Sequence, residues 1–154
     1  MIIVYLVLIV ALVAIDQFVK YLTVTQIQLG QMIDFIPGFM SFTHLQNFGA
    51  AWSMFEGQML FFIVVTLAVV AVAFYFLVKN VKTSKLMAIS LSLIIGGGIG
   101  NLIDRVRQGF VTDMFHLDFM NFPIFNVADI FLVVGVGLIF VWAIVDEIKQ
   151  KGGA

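Results

Sequence analysis

Residues 86–103 read LMAISLSLIIGGGIGNLI, a run of apolar and small residues without a charged side chain. A helix of about 20 apolar residues crosses the hydrocarbon core of a bilayer, so this run predicts a membrane-spanning helix. Its four glycines are typical of helices whose backbones pack closely against neighbours inside a membrane. The run therefore predicts a span that packs closely against other helices of a membrane bundle.

Three further apolar stretches lie outside this run, two before it and one after it. The four predicted spans are Ile2–Leu22, Met59–Val78, Leu86–Ile103 and Val127–Val145. The first lacks a basic amino-terminal region and an A-x-A cleavage pattern, so we interpret it as a retained span. The chain is 62% hydrophobic and 11% charged, whereas soluble domains have about 25% charged residues. We predict a single integral membrane domain over residues 1–154, with an all-α membrane part.

The distribution of lysine predicts the orientation of the four spans. Residues 79–85, between spans two and three, contain three of the eight basic residues, and Lys149 and Lys151 follow span four. Basic residues are enriched in cytoplasmic loops, so we expect both termini in the cytoplasm and outer loops at residues 23–58 and 104–126. Arg105 and Arg107 are exceptions to this rule.

Both predicted outer loops contain strand signals. Pro37-Gly38 is a turn signal, and Phe39–Leu45 mixes aromatic and polar residues in rough alternation. The segment Phe110–Leu117 is also β-prone. We expect a small, strand-rich extracytoplasmic platform that rests on the outer leaflet.

Polar residues from three spans and an outer loop fall at one depth of this topology. Ionisable groups beside a bilayer are costly unless they have partners or a function, so their gathering indicates a site. The eight residues are Asp16, Lys20, Asn101, Asp104, Arg105, Asp113, Asn126 and Asp129.

Structural explanations remain open for most of this group. Asp16 and Lys20 are four residues apart, the spacing of a simple helical ion pair. Asn101, Asp104 and Arg105 share a helical face and could cap the end of span three. A carboxylate is favoured at a helix N-terminus, which would explain Asp129. Asp113, in an apolar strand, has no comparable structural explanation.

The composition removes several classes of chemistry. The chain has no cysteine, only two histidines and no G-x-S-x-G or H-E-x-x-H motif, and its net charge of −1 gives no basic field for nucleic acid. Two adjacent carboxylates with different pKa values can hydrolyse a peptide without these groups. One accepts a proton from water, and the other polarises the carbonyl and protonates the leaving amine.

Five segments in order give the chain a resemblance to a known family. They are Asp16-Gln-Phe-Val-Lys20, Asn47-Phe-Gly-Ala-Ala-Trp52, Gly97-Gly-Ile-Gly-Asn-Leu-Ile-Asp-Arg105, Val111-Thr-Asp113 and Phe125-Asn-Val-Ala-Asp129. With these segments in this order, and with four predicted spans, the chain resembles bacterial lipoprotein signal peptidase (signal peptidase II). Thr112 and Met114 depart from the residues that are common in that family.

The resemblance implies an aspartic endopeptidase of the bacterial cytoplasmic membrane, with its active site at the outer leaflet. It implies cleavage of prolipoproteins before a diacylglyceryl-modified cysteine, no cofactor or metal, and inhibition by globomycin. The catalytic dyad would be Asp113 and Asp129. The supporting and substrate-binding residues would be Asp16, Lys20, Asn47, Gly49, Asn101, Asp104, Arg105, Asn126 and Ala128.

Two other functions fit parts of the sequence. Carboxylates in spans also mark ion pathways, so a small ion- or proton-coupled transporter is an alternative, although its site is expected near the midplane. A non-catalytic scaffold explains the glycines but leaves the two aspartates unexplained. We expect a monomer in contact with membrane lipid and prolipoprotein substrates.

Overall fold

The computed structural model describes residues 1–49 and 57–152, and within them it contains four long helices. They are α1 (Ile2–Gln26), α2 (Met59–Asn80), α3 (Lys85–Gln108) and α4 (Val127–Gly152). All four are long and apolar enough to cross a membrane. The predicted four-helix membrane architecture is confirmed. The helices α1, α3 and α4 continue for a turn or more beyond the apolar stretches of the sequence.

Helix α3 is the centre of the bundle. About 61% of its most apolar window is buried, against 17% or less for the other three helices, and it packs against each of them. Ser84 caps its start by accepting a hydrogen bond from the backbone N–H of Met87 at 3.2 Å. Gly109, with a φ of +78°, ends it in the left-handed conformation.

The glycine run of α3 makes this central position sterically possible. A Cβ atom on Gly96 would lie 2.9 Å from Leu12 of α1, and one on Gly98 would lie 2.9 Å from Val70 of α2. On Gly97 it would lie 2.5 Å from the carbonyl oxygen of Ala128 in α4. Successive glycines thus contact three different helices, which confirms the predicted close packing.

A three-stranded antiparallel sheet lies beside the bundle. Its strands are β1 (Met32–Ile36), β2 (Met40–Asn47) and β3 (Val111–Leu117), in the order β1-β2-β3. The Pro37-Gly38 turn joins β1 to β2, with Gly38 at a φ of +71°. The strand-rich platform is therefore confirmed, although β1 was not itself predicted as a strand.

The pairing of β2 with β3 joins the two predicted outer loops. In this register Asn47 lies opposite Val111, and Leu45 lies opposite Asp113. Asn47 and Asp113 are 66 positions apart in the sequence, but the sheet brings their side chains into contact. The sheet therefore connects the first outer loop to the polar end of the bundle.

Candidate active site

A cavity of about 720 Å³ opens between α2 and α4, with α3 behind it. Most of its wall is apolar and comes from residues such as Phe62, Val65, Leu132 and Val133. The end of the cavity next to β3 is polar instead. The predicted site residues that line the cavity are Asn47, Gly49, Asn101, Arg105, Asp113, Asn126 and Asp129.

Asp113 lies on β3 and is almost completely buried, with 1% of its surface exposed. One carboxylate oxygen accepts a hydrogen bond from Asn126 Nδ2 at 2.6 Å, and the other accepts one from Asn47 Nδ2 at 2.9 Å. Burial raises the pKa of Asp113 to about 7, and the negative charge of Asp129 acts in the same direction. The two amide hydrogen bonds oppose this increase without cancelling it.

Asp129 lies in the first turn of α4 and does cap that helix, as the structural alternative predicted. Its Oδ2 accepts from the backbone N–H of Asn126 at 3.1 Å, and its own N–H donates to Asn126 Oδ1 at 3.0 Å. This reciprocal pair is the arrangement of a capping box. Oδ1 of Asp129 accepts a further hydrogen bond from Asn101 Nδ2 at 2.8 Å. Capping thus orients a carboxylate that also lines the cavity.

Asn126 connects the two aspartates directly. Its side-chain amide donates to Asp113, while its carbonyl oxygen and backbone N–H are both bonded to Asp129. At the edge of one cavity, a single residue therefore donates one hydrogen bond to each carboxylate and accepts a third from the backbone N–H of Asp129.

A second set of polar residues, Asp16, Lys20 and Asp104, forms an inner polar layer behind the cavity, between α1 and α3. Lys20 Nζ is 3.0 Å from Asp16 Oδ2 and 3.1 Å from Asp104 Oδ2, and it donates to Asn101 Oδ1 at 2.9 Å. The predicted ion pair of Asp16 and Lys20 therefore exists. However, it belongs to a larger network that reaches Asp129 through Asn101.

The two acidic residues of this inner layer each bind a backbone amide. Asp16 Oδ1 accepts from the N–H of Ala128 at 2.9 Å, and Asp104 Oδ2 accepts from the N–H of Thr112 at 3.0 Å. Gly100 leaves room for the Asp16 carboxylate, because a Cβ atom there would lie 2.5 Å from its Oδ2. Asp104 thus anchors β3 and does not cap α3, whose end is formed by Gly109.

Arg105 lies on the cavity wall with its guanidinium carbon 5.1 Å from the centre of the Phe62 ring. This is within the range of a cation–π contact, and it links α3 to α2 across the cavity. Gly49 donates its backbone N–H to Asn47 Oδ1 at 2.9 Å, which fixes the Asn47 amide with its Nδ2 toward Asp113. Residues 50–52 of the second matching segment lie outside the described residues.

Two residues of the network were not predicted. Gln17 contacts Asp16, Asp104 and the carbonyl oxygen of Gly100. Phe62 holds the guanidinium of Arg105. Gln17 stands between recognisable residues in the first matching segment, but a single glutamine or phenylalanine in an apolar stretch carries no distinctive signal.

Neither histidine lines the cavity. His44 is buried in β2 with its Nδ1 3.0 Å from the carbonyl oxygen of Ile27, and His116 contacts Asp118. Among the described residues, no group of three or more histidine or acidic side chains is arranged to hold a metal ion.

Comparisons with known proteins identify the family of the chain and structures with the same fold. The family model described as signal peptidase (SPase) II matches residues 8–145. A lipoprotein signal peptidase of Enterococcus faecalis is 54% identical over 153 residues, which are 99% of this chain and 95% of that protein. One of Streptococcus pneumoniae is 51% identical over 93% of this chain and 94% of its own. A solved bacterial membrane enzyme superposes with a TM-score of 0.88 at 35% identity, covering 96% of this chain and 91% of that one.

Proposed function

This chain belongs to the signal peptidase II family, and we propose that it uses Asp113 and Asp129 as the dyad of an aspartic endopeptidase. The family acts in lipoprotein processing, so the chain is a protease that removes signal peptides from prolipoproteins. The observation that best supports the dyad is that Asn126 binds both carboxylates at the polar end of one cavity.

The raised pKa of Asp113 supports a division of roles between the two aspartates. With a pKa of about 7, Asp113 carries its proton in about half of the molecules at pH 7 and in more of them at lower pH. Asp113 hydrogen-bonds to the scissile carbonyl oxygen, while the carboxylate of Asp129 removes a proton from the water that attacks the carbonyl carbon. The tetrahedral intermediate then collapses, its C–N bond breaks, and the leaving amine takes a proton from the dyad. This order of reaction steps resembles that of other carboxylate pairs that share one proton.

The shape of the cavity supports a substrate that is itself embedded in the membrane. Its walls are mostly apolar side chains of α2 and α4, whereas its polar residues gather at the end beside β3. A signal-peptide helix would lie against the apolar walls, with its scissile bond at the polar end. We propose cleavage before a diacylglyceryl-modified cysteine, with lipid chains held by the same apolar surface.

The orientation and the assembly state follow from the same proposal. A diacylglyceryl group resides in the outer leaflet, so the polar end of the cavity faces that leaflet and both termini lie in the cytoplasm. Lysines 79, 82 and 85 then lie on the cytoplasmic side, as the positive-inside rule requires. The site is formed by residues of one chain, which supports a monomeric enzyme. We expect globomycin to occupy the same cavity.

The transporter alternative has no support. The matching family is a peptidase family. The polar residues gather at one end of the cavity, next to the sheet.

The test is cleavage of a purified diacylglyceryl-modified precursor in detergent micelles. Asp113→Asn and Asp129→Asn each lose a proton-transfer group, so we expect turnover to fall by roughly 10²- to 10⁴-fold or more. Asp34→Asn is the matched control, because Asp34 is an exposed residue of β1 whose described contact is with Ser41, away from the cavity. Full activity in either dyad variant, with the control also active, would remove that aspartate from the mechanism.

A further inference from the structure

The inner polar layer is connected to the backbone immediately before each proposed catalytic residue. Asp16 holds the N–H of Ala128, the residue before Asp129. Asp104 holds the N–H of Thr112, the residue before Asp113. The carboxylate of Asp16 therefore anchors the backbone next to Asp129, and the carboxylate of Asp104 anchors the backbone next to Asp113.

Two side chains bridge these anchors. Lys20 Nζ lies between Asp16 and Asp104, at 3.0 Å and 3.1 Å. Gln17 Nε2 spans the same pair, at 3.2 Å from Asp16 Oδ2 and 3.0 Å from Asp104 Oδ1. Gln17 and Lys20 therefore determine how far apart the anchoring carboxylates are.

We propose that Gln17 is a positioning residue, which fixes the separation of the two catalytic aspartates by bridging the carboxylates that anchor their backbones. This inference rests on the proposed function of Asp113 and Asp129. One ammonium alone leaves the two anchoring carboxylates with a net negative charge, and the neutral amide of Gln17 holds them together without adding charge. Among the described residues, Gln17 Nε2 is also the side-chain donor to Asp104 Oδ1.

The N–H of Ala128 makes this coupling measurable. It belongs to the first turn of α4, where backbone N–H groups have no partner within the helix, so Asp16 is its acceptor. The N–H of Thr112 donates to Asp104 Oδ2 at 3.0 Å. Hydrogen exchange at these two amides therefore reports on the two anchors directly.

The experiment compares Gln17→Met with Gln26→Met in the full-length enzyme. Methionine matches the length of glutamine but donates no hydrogen bond, and Gln26 is an exposed residue of the same helix. For Gln17→Met we expect kcat to fall by about tenfold or more, since small displacements of reacting groups are costly, and KM to stay within about twofold. We also expect exchange at Thr112 and Ala128 to rise by about tenfold, while Gln26→Met leaves both measurements unchanged.

Three outcomes would overturn the proposal. One is an unchanged kcat in Gln17→Met. The second is a loss of activity while both amides remain protected. The third is an increase in exchange spread evenly over α1, α3 and α4, which would mean general destabilisation. The exchange measurement does not depend on catalysis, so it still tests the coupling if Asp129→Asn shows the dyad assignment to be wrong.

Discussion

Replacing Gly97 by alanine tests whether close packing of α3 against α4 sets the position of the proposed dyad. Gly97 faces the first turn of α4, where the added Cβ atom would lie 2.5 Å from Ala128 O and 2.9 Å from Leu132 Cγ. The nearer of these atoms belongs to the backbone, so it cannot move aside as the end of a flexible side chain can. The added methyl group must push the two helices apart.

The size of this displacement follows from the contact distances. Ordinary van der Waals contact of a Cβ atom begins near 3.4 Å, so the start of α4 must move by about 0.9 Å. Asp129 is the residue after Ala128 and moves with it. A misplacement of about 1 Å at a reacting group costs on the order of 100-fold in rate. Overpacking of this kind also destabilises the folded state by about 1–3 kcal/mol.

Gly137→Ala provides the matched control on α4 itself. A Cβ atom there would meet no described atom within 4 Å, so we expect wild-type turnover and a stability equal to or up to about 1 kcal/mol above that of the wild type. Both variants are assayed for kcat on a diacylglyceryl-modified precursor and for thermal unfolding in the same micelles. If Gly97→Ala retains kcat within about threefold, the reasoning is wrong, because the helix contact would then not transmit a displacement of that size to Asp129.

Two further properties of the cavity can be tested: the titration of Asp113 and the contribution of Arg105 to substrate binding. The raised pKa of Asp113 means that its proton is lost as the pH rises through about 7, so kcat/KM should decrease on the alkaline side of a pH–rate profile. Asn47 lowers this pKa by its hydrogen bond to Asp113, so Asn47→Ala should move the alkaline limb of the profile to higher pH. An alkaline limb at the same or a lower pH would contradict the assignment of that limb to Asp113. Arg105→Ala should raise KM more than it lowers kcat, because the guanidinium lines the cavity but makes no described hydrogen bond to the dyad. Phe62→Leu, which removes only the ring under Arg105, should raise KM by about two- to fivefold in the same assay, and a defect confined to kcat would argue against binding.

The order of the polar motifs in the sequence indicated most of the site. Asp16, Lys20, Asn101 and Asp129 were expected at one depth because each lies near the same end of a predicted span. This inference needs only helix length and the cost of placing ionisable groups in a bilayer. The sequence could not show that Lys20 contacts Asn101 and Asp104 as well as Asp16, because those contacts depend on how α1 faces α3.

Local patterns also left some residues without a recognisable role. Strand β1 was not predicted, since its five residues are exposed and its stability comes from pairing with β2. Gln17 was overlooked for a related reason: glutamine on an apolar helix has no distinctive spacing, and its partners come from another helix. Asp129 caps α4 and also lines the cavity, so a structural explanation for this residue does not exclude a place in the candidate site.

The sequence by itself determined the number of membrane helices, the close packing of the glycine-rich one and the family of the protein. These are properties of composition, length and residue order, which act locally along the chain. Only the tertiary structure decided that Asn126 connects Asp113 to Asp129 and that Asp16 and Asp104 anchor the backbone before each of them. The contacts of Asn126 with Asp113 and of Asp16 with Ala128 join residues 13 and 112 positions apart. They form because α3 packs closely enough against its neighbours to bring distant polar groups within hydrogen-bonding distance.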